Sequence, residues 1–418
     1  MKVLWLCNII PAFAAKAMEL PVPSVGGWLD GLYYGICKDI DLQVCCPYDG
    51  NAPAQQKQGT ISCALFPVAR GNDIPWLREY FRKVLREANP AVIHIFGTEL
   101  PHCYAMMQAC EDAGLAERAV ISIQGLVSVL SEYHYYANLP RKLLSHRTAG
   151  EWLKHGSLED RCNAFRKRGQ WERKALEKAR HVIGRTHWDL ACTYQCNHRA
   201  KYHFCNESLR DSFYREQWSL ETCEKHSLFV SQCNYPLKGF HHALKALAIV
   251  SRDYPDAQLY TTGRDPLAKV SLLQRLRYSS YERYLAKLIR EYGLESRVHF
   301  LGNLSEERMC RQFLQSHVFL SSSSIENSSN SVGEAMLMGV PVVSSNVGGM
   351  KDLIHDGEDG FLYPSDAPYM MAHYITKLFE SDDLARRFSE NSRRRGAELF
   401  DRERNGARLL EIYREIGT

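Results

Sequence analysis

A chain of 418 residues, 45% hydrophobic and 24% charged, has the composition of a soluble globular protein of two or three domains, each able to bury its own core. A formal net charge of +4 is too small to argue for nucleic acid, and no apolar run approaches the length needed to span a bilayer. The fourteen cysteines are scattered with no C-x-x-C pair, which argues against a disulfide scaffold and fits small buried hydrophobes in a reducing cytosol.

The first seventeen residues, with one lysine, an apolar run and Ala12-Phe13-Ala14, have the outline of a secretory signal. Asn8 and Pro11 interrupt that run, so residues 2–7 are expected instead as a first buried parallel strand followed by a loop. Further strands are expected at 42–46, 92–96, 120–124 and 181–184. Residues 73–85 read as an amphipathic helix capped by Asp73, with Leu77, Tyr80, Phe81, Val84 and Leu85 on one face. Such aromatics at helical spacing belong to a core.

From 141 to 180, twelve Lys/Arg stand against five Asp/Glu, with Trp152, Phe165 and Trp171 interleaved. Two readings stay open: the solvated face of two helices, or a surface for anionic lipid, where each basic residue contributes about 1 kcal/mol. No nucleic-acid module accompanies it. Cys192, Cys196, His198, His203 and Cys205 have the residue types of a zinc site. Their spacing fits no familiar ligand pattern, so a packed edge of the first domain is expected there.

A second alternating series begins at 227–231 and continues through 257–262, 298–301, 318–323, 340–345 and 360–363. Two runs of β/α units predict an α/β fold of two doubly wound, Rossmann-like domains facing across a cleft. The polar stretch 218–225 is the expected joint, giving domains 1–222 and 223–400. Helices at 369–380, 384–399 and 402–416 close the chain.

The densest signal is SSSSIENSSNSVGEAMLMGVPVVSSNVGG, residues 321–349. It reads as a buried strand, a polar Ser/Asn loop, a helix from about Asn330 and a second short strand. Glu326 and Glu334 stand eight positions apart around the helix start. Unpaired N–H groups and about half a positive charge collect at a helix N-terminus, which makes an anion seat. Ionised carboxylates on both sides accept hydrogen bonds from hydroxyls. A nucleotide diphosphate-sugar, anionic in the middle and hydroxylated at both ends, has that layout.

The run ENSSNSVGEAMLMGVPVVSS resembles the E-x7-E signature of family 4 glycosyltransferases, retaining enzymes of the GT-B fold. The resemblance implies that Glu334 accepts hydrogen bonds from the nucleotide ribose and Glu326 from the donor sugar. Backbone N–H groups of Asn330, Ser331 and Val332 would hold the diphosphate, with Lys238, before Gly239, as counter-charge. Residues 300–304 with Gly263 and Arg264 would border the base. The family's usual Arg six residues before that Lys is Gln232 here, and Arg264 and Arg185 are the candidate replacements. The family histidine of the first domain is Gln124, while His94, Thr98, Glu99 and His102 supply other polar groups at the cleft. Gly26-Gly27-Trp28 resembles the family's glycine loop. The reaction implied proceeds on one sugar face, the departing phosphate taking the acceptor's proton, with Glu326 not a nucleophile. No metal or other cofactor is expected, because Asp39-Ile40-Asp41 leads into a strand of the wrong domain type for a metal-dependent transferase. The C-terminal helix, within 401–418, is expected to cross back to the first domain. Phrases such as Arg185-Thr-His-Trp-Asp resemble a bacterial capsule or exopolysaccharide branch, implying a hexose donor and a glycan or lipid-linked acceptor at the inner face of the cell membrane. The rival reading is a non-catalytic GT-B partner subunit that binds nucleotide or glycan.

Overall fold

Short runs of apolar residues bounded by turn residues become parallel strands buried on both faces. In the first strand, KVLWL, Leu4 and Leu6 enter one core layer and Val3 and Trp5 the other. The computed structural model describes every residue except Ser24, Val25, Gly59, Thr60, Ala137, Val270, Leu272, Leu273, Arg275 and Thr418. The chain divides into two compact units, Met1–Ser131 with Phe165–Leu209 and Phe400–Thr418, and Glu132–Ala164 with Arg210–Leu399.

The strands are β1 (Lys2–Leu6), β2 (Asp41–Tyr48), β3 (Ala54–Gln58), β4 (Ile61–Pro67), β5 (Val92–Phe96), β6 (Ala119–Ser122), β7 (His181–Gly184) and β8 (Lys201–Phe204) in the first unit. The second holds β9 (Glu224–Val230), β10 (Gln258–Thr261), β11 (Val298–Phe300), β12 (Ser316–Ser321), β13 (Val342–Ser345) and β14 (Phe361–Tyr363). The helices that bear on function are α1 (Gly27–Ile36), α2 (Ile74–Ala88), α3 (Pro101–Asp112), α4 (Ala149–Lys154), α5 (Leu158–Lys178), α6 (Phe240–Val250), α7 (Ser280–Glu291), α8 (Asn330–Met338) and α9 (Arg402–Ile416).

The first sheet has the order β3-β4-β2-β1-β5-β6-β7-β8, parallel except for β3 at its edge. Helix α2 starts as expected: the Asp73 carboxylate accepts from the Trp76 N–H at 3.3 Å. Leu77, Phe81, Val84 and Leu85 are buried beneath it. Helix α9 packs with α1 against the other face, adding Leu409, Ile412 and Tyr413 to that core. Strands β3, β4 and β8 are additional to the five expected.

The second sheet, β11-β10-β9-β12-β13-β14, is parallel throughout, and all six strands coincide with expected ones. This is a doubly wound order whose topological switch point lies between β9 and β12, and ligands in such sheets bind beyond the carboxyl ends of the strands at that point. In the first sheet the equivalent point lies between β1 and β5.

The division between units differs from the expected joint at 222–223. The stretch from Arg210 belongs with the second unit because its side chains are bonded into it: Ser212 to Glu306, and the buried Trp218 through its indole N–H to the Ser316 carbonyl at 2.8 Å. Residues 132–164 also belong there, since Glu151 accepts from the Ser280 N–H at 2.8 Å and its hydroxyl at 3.0 Å. The basic stretch 141–180 is thus split between units, with the division falling inside α5. Of its three aromatics Trp152 is exposed, whereas Phe165 and Trp171 are half-buried and Trp171 stacks on Tyr104. All fourteen cysteines are free, and most are buried. Among the described residues no helix is long and apolar enough to cross a membrane.

Candidate functional site

The loops after β9 and β12, at the switch point of the second sheet, are built into each other. The chain leaves β9 through Ser231-Gln-Cys-Asn, turns at Pro236–Lys238 and enters α6 through Gly239, whose φ is +65°. A Cβ at Gly239 would meet the Ser322 carbonyl, so only glycine fits this close approach. Across the gap, the Ser322 hydroxyl donates to the Lys238 carbonyl at 2.9 Å, and the Ser324 N–H and hydroxyl donate to the Leu237 carbonyl at 2.8 and 3.2 Å. The Ser345 hydroxyl ties β13 to the Ser323 carbonyl at 2.6 Å. The serine run is therefore the hydrogen-bonding frame that fixes the backbone of Lys238.

Within that frame the Lys238 ammonium meets the Glu326 carboxylate at 2.6 Å, and the Ser323 hydroxyl donates to the same oxygen at 2.6 Å. The Glu326 carbonyl accepts from the Gly349 N–H at 3.0 Å, and a Cβ at Gly348 would collide with it. The Gly-Gly turn thus anchors the loop that carries Glu326.

Helix α8 begins at Asn330, as expected. Its N-cap, Ser329, makes no side-chain capping bond, so Asn330, Ser331 and Val332 stand in a first turn whose N–H groups lack intrahelical acceptors. The Asn330 side-chain oxygen is buried with no hydrogen-bond partner. One turn on, Glu334 is 5% exposed, and the Arg210 guanidinium donates to it at 2.7 Å. Burial pushes the Glu334 carboxyl above the ordinary carboxylate range, and Arg210 draws it part of the way back. Arg210 lies over the Phe213 ring, 4.5 Å from its centroid. Sequence reasoning missed Arg210. The available signal was physical: a carboxylate on the buried side of a helix in an α/β core needs a cation or a proton.

The other donor-side candidates fall differently. Gln232 is exposed. Arg264 is committed to Glu282, with contacts of 2.8, 2.5 and 2.6 Å, and its guanidinium covers the Tyr278 ring. Glu282 also completes the capping box at the start of α7, so this carboxylate already matches the charge proposed to replace the missing arginine. Gly263, at φ +112°, sits against Asn234 and Cys233 where no side chain fits.

In the first unit, Gly26 has φ +85° and precedes α1, which begins at Gly27, and a Cβ on Gly26 would strike Ile9. His94 is 1% exposed, with Nδ1 at 2.6 Å from the Tyr413 hydroxyl and Nε2 at 2.5 Å from the Ser122 hydroxyl. The Trp5 indole N–H donates to the same Tyr413 oxygen at 2.9 Å. Burial lowers the His94 pKa to about 3, so the ring is neutral. His94 is a core residue with both nitrogens engaged. Gln124 donates to Glu207 at 2.5 Å, and the other Glu207 oxygen accepts from Arg185 at 2.7 Å. Arg185 is thus also paired, and its Nε is buried without a partner. Thr98 donates its hydroxyl to the buried Glu172 at 2.8 Å, while the Glu99 carboxylate accepts from the Thr98 N–H at 2.9 Å and from Asn8 at 3.2 Å. Burial, with Glu172 nearby, pushes Glu99 up to about 7. His102 meets Asn8 at 2.8 Å, completing a polar knot beyond β1 and β5. Asp39 and Asp41 are exposed where the chain enters β2.

Residues 211–395 match the family model described as glycosyl transferases group 1. Over 180 residues the chain is 28% identical to an alpha-D-kanosaminyltransferase of Streptomyces kanamyceticus, covering 43% of each. Over 188 residues it is 29% identical to the MMP alpha-(1->4)-mannosyltransferase of Mycolicibacterium hassiacum, covering 44% of this chain and 41% of that one. The matched part thus spans less than half the length of these curated relatives. Among solved structures, sucrose-phosphate synthase from Thermosynechococcus elongatus superposes with a TM-score of 0.70 at 16% identity, covering 100% of this chain and 99% of that one. Alr3699/HepE of Anabaena in complex with UDP gives 0.65 at 17% identity, covering 99% and 100%. WaaG, a glycosyltransferase involved in lipopolysaccharide biosynthesis, gives 0.63 at 15%, covering 99% of each. The two parallel-sheet, Rossmann-like units have the fold of GT-B glycosyltransferase structures, and the group 1 match lies in the second unit.

Proposed function

We propose that this protein is a retaining glycosyltransferase that moves a hexose from a nucleotide diphosphate-sugar to a glycan or lipid-linked acceptor in bacterial cell-surface polysaccharide synthesis, working in the cytoplasm at the inner face of the membrane. The observation that carries the reading is the convergence, at the switch point of the second sheet, of Lys238, Glu326 and the uncapped first turn of α8, with the buried Glu334 one turn behind. The group 1 match over the same residues and the UDP complex of Alr3699/HepE support it.

In this reading the diphosphate lies against the backbone N–H groups of Asn330, Ser331 and Val332, with Lys238 as the adjoining cation. Stabilising the charge that develops on a leaving diphosphate is an oxyanion-hole problem, usually the largest single term in such catalysis. Glu326 accepts hydrogen bonds from the donor sugar and, through its contact with Lys238, sets where that ammonium sits. Glu334 accepts from the ribose hydroxyls, and the hydrogen-bonded Arg210 favours its ionised form. The departing phosphate takes the acceptor's proton on the same sugar face, so the scheme needs no protein base and routes no step through a metal.

Calorimetric titration with UDP, GDP and ADP, followed by assay of the matching nucleotide-sugars for slow hydrolysis, tests the proposal. Binding of one nucleotide with hydrolysis of its sugar supports a transferase and fixes the donor class. Binding without turnover, even with candidate acceptors, favours the non-catalytic partner, for which the uncharged Gln232 is the motivating feature. Absence of binding to any nucleotide sinks the transferase and leaves, of the rival reading, only a partner that binds glycan.

A further inference from the structure

The outer edge of the first sheet brings together three potential metal ligands that no sequence spacing connects. His181 opens β7 and His203 stands third in β8. The parallel register pairs His181 with Lys201, so His181, Lys201 and His203 share one face of the sheet. Glu415 reaches that face from the last turn of α9. The His181 Nδ1 and His203 Nε2 atoms are 3.1 Å apart, and the ligand atoms of both rings and of Glu415 all lie within 4.8 Å of one another. The rings stack at 25° with centroids 5.3 Å apart, so their nitrogens converge on a common space.

We propose that His181, His203 and Glu415 bind a divalent zinc-type ion that clasps the C-terminal helix to the β7–β8 edge of the first unit. Two imidazoles and one carboxylate suit a borderline metal such as Zn2+, with water as a fourth ligand, and do not suit the oxygen-seeking Mg2+. Nitrogens 3.1 Å apart are close to the separation that two tetrahedral ligands at about 2.0–2.1 Å from zinc require. Lys201 contacts Glu415 at 2.6 Å, but both side chains are largely exposed, and such surface pairs are weak enough for a dication to displace. His181 lies at the other end of β7 from Gly184 and Arg185, so the ion is structural and takes no part in sugar transfer. Among the five zinc-type residues clustered at 192–205 in the sequence, only His203 belongs to this set.

The test is zinc titration of the chelator-treated full chain, followed by calorimetry and thermal unfolding, with Mg2+ as control. The expected result is one zinc per chain and a melting temperature that rises with Zn2+ and not with Mg2+. His181→Gln and Glu415→Gln, both at accessible positions and expected to fold, should each weaken zinc binding by about tenfold or more. Lys201→Met, which removes the competitor, should strengthen it. The proposal is overturned if zinc leaves the melting temperature unchanged, if both ligand variants bind zinc as tightly as the wild type, or if Lys201→Met binds more weakly. The second outcome would place the ion on cysteines elsewhere. None of these readouts depends on glycosyl transfer, so the proposed function stands or falls separately.

Discussion

Glu334, in the helix that follows β12 of the second unit, and His94, in β5 of the first, are both buried polar side chains, yet their surroundings differ. His94 is saturated: each ring nitrogen faces a hydroxyl, and the ring stacks on Phe96. Glu334 holds a single arginine at 2.7 Å and stands behind a helix start whose N-cap side chain leaves the first turn uncapped. That contrast is what distinguishes a buried polar group that completes a core from one proposed to serve a ligand. A core group closes its hydrogen bonds within the protein, whereas the group proposed for the ribose stands on a helix whose first-turn N–H groups lack intrahelical acceptors.

The largest effect should come from the cation at the mouth of this arrangement. Lys238→Ala removes the counter-charge proposed for the leaving diphosphate and should lower turnover by roughly a hundredfold or more, with folding intact because the serine frame bonds only the Lys238 backbone. Near wild-type turnover in steady-state assays would mean that another group neutralises the phosphates. Arg264 is a poor substitute, since Glu282 already holds it.

Glu334→Ala should weaken nucleotide binding by about 1.5–3 kcal/mol, the worth of hydrogen bonds to a charged group. Arg210→Met sharpens the point, because it leaves the carboxyl in place and removes what holds its pKa down. The sign follows directly. Burial already raises that pKa, so losing the guanidinium raises it further, and less of the carboxyl is ionised near neutrality. Nucleotide affinity of the variant should therefore fall more steeply than that of the wild type as pH is lowered. Equal pH dependence in the two proteins, measured by calorimetry, would break the link between Arg210 and Glu334.

The opposite result is expected at His94. His94→Phe keeps the ring but leaves the Tyr413 and Ser122 hydroxyls without their imidazole partner, at a cost of about 1–3 kcal/mol in stability. Nucleotide affinity should not move. A fall in affinity without a fall in stability would put His94 back among the site residues.

Much of the second unit's fold was legible because its elements are written in local sequence. Its six strands are short apolar runs closed by Ser, Gly and Pro, and the helix start, both glutamates and the Lys-Gly turn all lie within segments that can be read without knowing the fold. What stayed hidden is non-local or lacks a pattern. Strand β3, AQQKQ, is an exposed polar edge with no apolar alternation, so only its antiparallel pairing with β4 identifies it. Strand β8, KYHF, is too short to show a period. The His94 partner Tyr413 lies in the last helix, and Arg210 lies far in sequence from the glutamate it serves. Residues 132–164 join the second unit through contacts such as Glu151 with Ser280, which no composition shift announces. The carboxylate partners of Arg264 and Arg185, Glu282 and Glu207, likewise come from other segments.

Glu99 is the case between the two extremes. Like His94 it is tied to its own unit, by Asn8 and the Thr98 N–H, and like Glu334 it is a carboxyl pushed upward by burial, here to about 7. A group whose folded pKa exceeds the unfolded value of about 4.3 contributes stability that is fully present below the unfolded value and is lost as pH rises through the folded one. The wild type should therefore lose stability between about pH 4.3 and about pH 7 from this group alone. Glu99→Gln keeps an oxygen to accept from Thr98 and Asn8 but cannot ionise, so its advantage over the wild type should be small below about pH 4.3, grow up to about pH 7 and level off above it. Melting temperatures of the two proteins across that window decide the matter. A constant offset would mean that Glu99 is already ionised in the folded state, held so by its donors, and that the knot beyond β1 and β5 works like the saturated surroundings of His94. A growing offset would instead mark a carboxyl that changes protonation near neutrality at the switch point of the first sheet.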